Sequence, residues 1–301
     1  MTVLRAPRRV REAAHVLSPR YWRWRRFLDQ LTLDPDRLPR PVASPSTRDF
    51  IICGCPRTGT SLLSAVLHQP PRSLVVMEPW DGMRLPPSEL FDSLRGEIAR
   101  TGRLTRGKLD IDALSADGEV RWQREGILQE EVRVMDGYLL GVKWPAFWRY
   151  LDLLPTTKFL VCLRHPAEVI ASFKRVGGRL SQGLEYDIAF NKRMNEELSR
   201  TRDLALRRIR FFDFVHDRIL PHLGRLNVLP VRYERWFVEP DRVVEEISQF
   251  LGADLSESRA VIRAPEHRIG LDSRERLLLE EECKTTEALG YSTKSLVPEA
   301  G

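Results

Sequence analysis

The segment Gly54-Cys55-Pro56-Arg57-Thr58-Gly59-Thr60-Ser61 has the residue types and the spacing to hold an anion. It stands between an apolar run of strand length and the helical run Leu62–Leu67. GxxxxG followed by two further residues is the spacing of a phosphate loop. Its glycines let the backbone turn and come close to an anion, while loop N–H groups and the helix dipole point at it. Thr58, Thr60 and Ser61 add hydroxyl donors. A tight strand-to-helix turn with no ligand is the plainer alternative. The loop departs from that of an NTPase, because Thr60 stands where a lysine follows the second glycine and the cation is Arg57, inside the loop. A small-molecule kinase using ATP and magnesium, the rival reading, would also need a carboxylate to help hold the metal. Asp49 precedes the first strand, at the wrong end, and no strand end offers an obvious aspartate. The pattern points to an anionic donor handled without a metal.

Lys158 to Phe173 is again an apolar run, a turn and a helical pattern. Arg164 ends the run, Pro166 suits the first helical position and Glu168 suits the first turn. Ser172 falls on the second turn, where its hydroxyl and the Arg164 fork could meet one anion, and arginine is suited to bidentate phosphate binding. Alone, such an arginine would be read as a salt-bridged structural residue; beside the first loop it becomes a ligand candidate. Glu78 closes Val75-Val76-Met77 and precedes Pro79. At the C-terminal end of a parallel strand it would face the ligand crevice, as a general base or as a residue that orders the following loop. Lys143 ends Leu140-Gly141-Val142, either near that crevice or on the surface.

The elements that must carry these residues are apolar runs at Phe50–Cys55, Ser73–Glu78, Tyr138–Lys143, Lys158–Leu163 and Asn227–Tyr233, most of them separated by helical patterns. That alternation predicts an α/β domain with a central, mainly parallel five-stranded sheet flanked by helices. A single sequence does not give the strand order. The domain is expected over residues 49–301, with an insertion at about 81–135 of helical character and no clear strand, which either lines the crevice or decorates the surface. Trp80, Trp122, Trp144 and Trp148 could stack on an acceptor ring or fill the core.

The chain has 301 residues and a net charge of +6. Residues 1–48 hold eleven arginines, no lysine and four acids, a balance of +7 that leaves the remainder near neutral. The body therefore has no nucleic-acid footprint. An amphipathic helix is expected over residues 12–31, followed by a linker with Pro35, Pro39, Pro41 and Pro45. Its Arg20-to-Arg26 stretch either packs aromatics on the body with arginines in water, the favoured reading, or contacts a nucleic acid or an anionic membrane. No run reaches the roughly 20 apolar residues of a membrane span, and no apolar run follows the N-terminal arginines as in a secretory signal. An organelle transit peptide is the alternative for this start. Cys53, Cys55, Cys162 and Cys283 show no metal spacing, and a reducing cytoplasm is the expected location.

Taken together, the two loops resemble those of the sulfotransferase family that uses 3′-phosphoadenosine 5′-phosphosulfate. Pro56-Arg57-Thr58-Gly59-Thr60-Ser61 is similar to its 5′-phosphosulfate loop, and Arg164, Pro166, Val169, Ser172 and Phe173 to its 3′-phosphate motif. Val231-Arg232-Tyr233-Glu234 with Pro240 and Phe250-Leu251-Gly252, and Ala288-Leu289-Gly290-Tyr291, resemble two further family segments. The resemblance implies a P-loop NTPase-like fold and a sulfuryl transfer to a hydroxyl, or as the lesser alternative an amine, of a small-molecule, sugar or lipid acceptor, with no metal and with adenosine 3′,5′-bisphosphate (PAP) as product. It also implies that Pro56 to Ser61 hold the 5′-phosphosulfate, that Arg164 and Ser172 hold the 3′-phosphate, and that Tyr233 lies near the nucleotide. Several family branches place a catalytic Glu after the second strand, which implies Glu78 as base. Where animal cytosolic members carry a histidine base, Trp144 and Pro145 follow Lys143 here, so that lysine is left to assist the bridging oxygen or the acceptor. Arg57 stands where many relatives have Lys and is suited to stabilise the leaving phosphate by its charge, since it does not readily give up a proton. The adenine-stacking tryptophan of many members is replaced by Leu62 and Leu63, and Arg263 to Gly270 matches the family's C-terminal 3′-phosphate loop loosely, with Arg268 as candidate contact.

Overall fold

The computed structural model describes residues 46–79, 82, 85–106, 109–114, 120–122, 128–176, 178–185, 191–256 and 270–292. The expected N-terminal helix, most of the proline-rich linker, Trp80 and Arg268 lie outside these residues.

Five strands form one sheet: β1 (Asp49–Gly54), β2 (Ser73–Met77), β7 (Leu139–Lys143), β8 (Lys158–Leu163) and β9 (Val228–Arg232). All pairings are parallel and the order is β2-β7-β1-β8-β9. Around the sheet lie α1 (Thr60–Leu67), α2 (Pro87–Thr101), α3 (Pro166–Val176), α4 (Gly178–Ser181), α5 (Lys192–Ser199), α6 (Leu204–Ile219), α7 (Pro240–Leu251) and α8 (Ser273–Glu282). Side chains of a strand alternate between faces. Ile51, Val76, Val142 and Val161 accordingly pack in one core with residues of α2, α3 and α6, and Phe50, Ile52, Val75 and Leu160 in a second with residues of α1 and α7. Burial on both faces is why these strands read as continuous apolar runs. Pro230 sits in β9, an edge strand, where its missing N–H costs no ladder bond.

The segment expected to carry no strand is different in the structure. Besides α2 it holds β3 (Arg103–Arg106), β4 (Leu109–Leu114), β5 (Val120–Trp122) and β6 (Leu128–Glu131), paired as two antiparallel ribbons, β3 with β6 and β4 with β5. Trp144 and Trp148 belong to the buried core, where Trp144 stacks on Phe147 at 5.6 Å.

The C-terminal segment is tied to α6 by Asp213, which accepts bonds from Lys284 N–H (3.1 Å), Thr285 N–H (3.1 Å), Thr285 Oγ1 (2.7 Å) and Cys283 Sγ (3.3 Å). Burial and the Asp213 charge push the Cys283 thiol up to about 12, so it stays a thiol. On the same helix the fully buried His216 lies 3.9 Å from the Phe212 ring, with Nδ1 2.9 Å from the Phe212 carbonyl. A carbonyl only accepts, so Nδ1 carries the proton. Burial pushes the His216 pKa down to about 4, against the opposing pull of the Phe212 bond and Asp213. The unfolded chain binds this proton near pH 6.5 and the native chain only near 4. Stability is therefore full above that window and falls through it on acidification, by about 3 kcal/mol at pH 4. The urea midpoint of wild type is expected to drop more between pH 7 and 4.5 than that of His216→Leu.

Candidate functional site

In a parallel sheet every strand delivers its C-terminal end to the same edge, and neighbouring strands stand about 4.8 Å apart. The strand order therefore lines up, along one edge, Glu78 after β2, Lys143 at the end of β7, the loop 54–61 after β1, Arg164 after β8 and Tyr233 after β9. Residues spread over some 180 positions of sequence become neighbours in sheet order.

The loop in the middle is fixed by backbone geometry. Gly54 has φ 146°, and a Cβ there would lie 2.5 Å from the Cys162 carbonyl of β8. Thr58 turns its N–H (3.2 Å) and its hydroxyl (2.7 Å) back to the Cys55 carbonyl, closing the turn. Gly59, at φ 98°, caps α1 without any side-chain cap, and a Cβ there would meet Tyr233 Cδ2 at 2.5 Å. The first N–H groups of a helix have no partner within it, and here no capping side chain supplies one. Thr60 is buried, while Ser61 is half-buried at the start of α1 and Pro56 is buried in the loop. Arg57 adopts φ 74°, a left-handed conformation that costs a non-glycine residue about 1–2 kcal/mol.

On one side of the loop lies the cationic half of the site. Arg57 Nε donates to Ser172 Oγ on α3 at 2.9 Å, joining the first loop to the second. Arg164 donates from Nη1 to the Arg57 carbonyl (3.3 Å) and from Nη2 to Glu168 (2.5 Å), and its Cζ lies 4.1 Å from the centre of the Tyr233 ring. Its Nε is buried without a hydrogen-bond partner. A buried donor so placed costs free energy until an acceptor reaches it. Tyr233 is itself shifted: burial pushes its phenol up, while the Arg164 and Arg57 charges pull the other way.

On the other side, Glu78 holds φ 44°, again left-handed, with its N–H donating to the Lys143 carbonyl at 2.8 Å. Its carboxylate pairs with Lys143 Nζ. The Lys143 side chain is 2% exposed and that of Glu78 26% exposed, so the carboxylate is the member of the pair that meets solvent. Backbone strain of this kind collects at functional positions. Asp49 is far from this pair: it opens β1 at the opposite edge, paired with Arg95 of α2.

Two further carboxylates stand near the cationic half. Glu168 pairs with Arg164 at i,i+4, a spacing visible in the sequence. Glu234 accepts the His165 N–H at 2.7 Å, a contact across 69 residues that no local pattern signals. Among the described residues no three His, Cys, Asp or Glu side chains are grouped to hold a metal, and no helix is long and apolar enough to cross a membrane.

The profile of a family described as the sulfotransferase family matches residues 49–257, more than half of the chain. No curated protein matches significantly. Similar solved structures include the sulfotransferase domain from the Synechococcus PCC 7002 olefin synthase, at 19% identity over 88% of this chain and 94% of that one, with TM-score 0.42. A sulfotransferase from Alicyclobacillus acidocaldarius is 18% identical over 85% and 99%, with TM-score 0.43. Mouse sulfotransferase SULT7A1, complexed with PAP, is 13% identical over 86% and 77%, with TM-score 0.37.

Proposed function

Because this chain belongs to the sulfotransferase family, we propose that it takes a sulfuryl group from 3′-phosphoadenosine 5′-phosphosulfate and gives it to a hydroxyl of a small-molecule, sugar or lipid acceptor. The observation that carries the choice of donor is the clustering of two guanidinium side chains, Ser172 and Tyr233 beside the loop 54–61, with Arg164 Nε buried and lacking an acceptor. A nucleotide with phosphates at both ends of its ribose suits that arrangement. The 5′-phosphosulfate lies on the loop and the start of α1, and the 3′-phosphate lies over Arg164 and Ser172. Arg268 is a further candidate contact to it.

In the transfer, Glu78 takes the proton of the acceptor hydroxyl, and the oxygen attacks sulfur in line with the departing phosphate oxygen. The sulfur–oxygen bond to the phosphate breaks as the new one forms, and PAP leaves with the added negative charge. Arg57 stabilises that charge as a fixed cation. Lys143 orients the Glu78 carboxylate in the resting enzyme and stands on the strand beside that of the loop, where its role would be to assist the bridging oxygen or the acceptor. A kinase reading finds less support: Thr60 takes the place of the phosphate-loop lysine, and Asp49 is occupied by Arg95 at the far edge.

Calorimetric titration tests the donor. Wild type is expected to bind PAP more tightly than ADP or ATP with magnesium. Arg164→Ala is expected to lose about two to three orders of magnitude of PAP affinity, as for a buried charged hydrogen-bonding group. Tight, magnesium-dependent ATP binding with no preference for a 3′-phosphate would put the kinase first.

A further inference from the structure

The family match ends at residue 257, yet a segment beyond it reaches the cationic half of the site. Between the last residue of β8, Leu163, and the first of α3, Pro166, stand only Arg164 and His165. The direction of the Arg164 side chain therefore depends on how one peptide unit is held. That unit is held by Glu234: its Oε1 accepts the His165 N–H at 2.7 Å, and its Oε2 accepts the Tyr291 hydroxyl at 3.0 Å. Both oxygens of the carboxylate are thus engaged, one by the turn and one by the C-terminal segment.

Tyr291 is itself firmly set. Its ring meets the His165 ring edge-on at 5.3 Å, and Arg232, the last residue of β9, lies over it at 4.8 Å. Arg232 also donates to the Leu289 carbonyl at 2.6 Å. Asp213 anchors the start of the segment at Lys284 and Thr285, and Leu289 is buried in the core. Burial and the neighbouring Glu234 push the Tyr291 phenol well above its ordinary value, which keeps it a donor. The segment runs from α6, past β9, to the turn that carries Arg164.

We propose that Tyr291 is a positioning residue for the 3′-phosphate: through Glu234 it fixes the Arg164–His165 peptide and with it the aim of the Arg164 fork. The inference rests on the reading of the donor given above. In this role the Tyr291 hydroxyl acts through Glu234, while its ring packs on His165 of the same turn. Its removal weakens the contact to one phosphate and leaves the rest of the nucleotide site as it was.

The test compares PAP with adenosine 5′-monophosphate, which lacks the 3′-phosphate, by calorimetry on wild type, Tyr291→Phe, Arg164→Ala and the double variant. Tyr291→Phe keeps the ring and loses one hydrogen bond, so it is expected to fold. PAP affinity is expected to fall about fivefold to tenfold in Tyr291→Phe, with the monophosphate unchanged. In the Arg164→Ala background the same substitution is expected to have no further effect on PAP. If Tyr291→Phe weakens both nucleotides equally, or neither, or still weakens PAP without Arg164, the positioning role is wrong while the donor reading stands. If wild type itself does not prefer PAP to the monophosphate, the donor reading falls and this inference falls with it.

Discussion

Glu78→Gln is expected to lower kcat by about 10²–10⁴-fold, the usual contribution of a general base, while PAP affinity stays near that of wild type. Glutamine has the shape of glutamate and keeps a carbonyl oxygen for the buried Lys143, so the hydrogen bond at this end of the edge survives although the counter-charge is lost. What is lost is the ability to take a proton. Glu78 stands after β2 and the proposed nucleotide ligands after β1, β8 and β9, so binding and proton transfer occupy different ends of one edge and separate in the measurement. Glu78→Ala would confuse the two, because removing the partner of a buried charge costs about 3–5 kcal/mol of stability. Single-turnover rates and calorimetry on the glutamine variant decide the matter. A kcat within a few-fold of wild type would remove Glu78 from the chemistry and leave it as an orienting partner of Lys143.

Arg57→Gly separates stability from activity in the opposite direction. Arg57 is held at φ 74°, where a side chain is strained and glycine is at ease. Relief of about 1–2 kcal/mol offsets the lost bond to Ser172, so the urea midpoint is expected to be no lower than that of wild type. The backbone carbonyl that receives Arg164 remains in place. Activity is expected to fall by about 10²–10³, the cost of removing one group that stabilises developing charge. A variant as stable as wild type and nearly inactive would mean that the strain at this position is retained for the cation it delivers. A variant that keeps full activity would show that the leaving phosphate is stabilised by the loop N–H groups and Lys143 alone.

The sheet was legible because both its faces are buried: runs such as Ile51-Ile52-Cys53 and Phe159-Leu160-Val161 leave little room for another assignment. Its strand order was not legible, since that depends on which distant runs share a core. The two ribbons between α2 and β7 were only partly legible, for a local reason. Arg103–Arg106 and Leu128–Glu131 are short and charged, with no apolar run to announce a strand. Leu109, Ile111 and Ala113 alternate with Asp110 and Asp112, a period of two that does mark a strand in the sequence. At the site, sequence spacing offered Arg57, Arg164 and Ser172 as candidates, and the structure brings all three together. The pairing of Glu78 with Lys143, 65 residues apart, and the link from Tyr291 through Glu234 to His165 exist only once β2, β7, β8 and β9 are side by side.

That dependence has a consequence for synthesis. A growing chain carries the loop 54–61 and Glu78 early, but Lys143 and Arg164 come some hundred residues later, and Tyr233 and Tyr291 later still. Parallel neighbours joined by long crossovers are slow to pair, because loop closure must be achieved before contacts repay it. A ligand stabilises a fold only to the extent that its whole site exists. The proposed nucleotide therefore gives no help to a chain not yet made as far as Tyr291, and its stabilisation arrives in a single step once that residue is in place. Until β7 and β8 have been made, β1, the central strand, is an apolar segment without its neighbours, and whatever shields it from aggregation is not the proposed nucleotide.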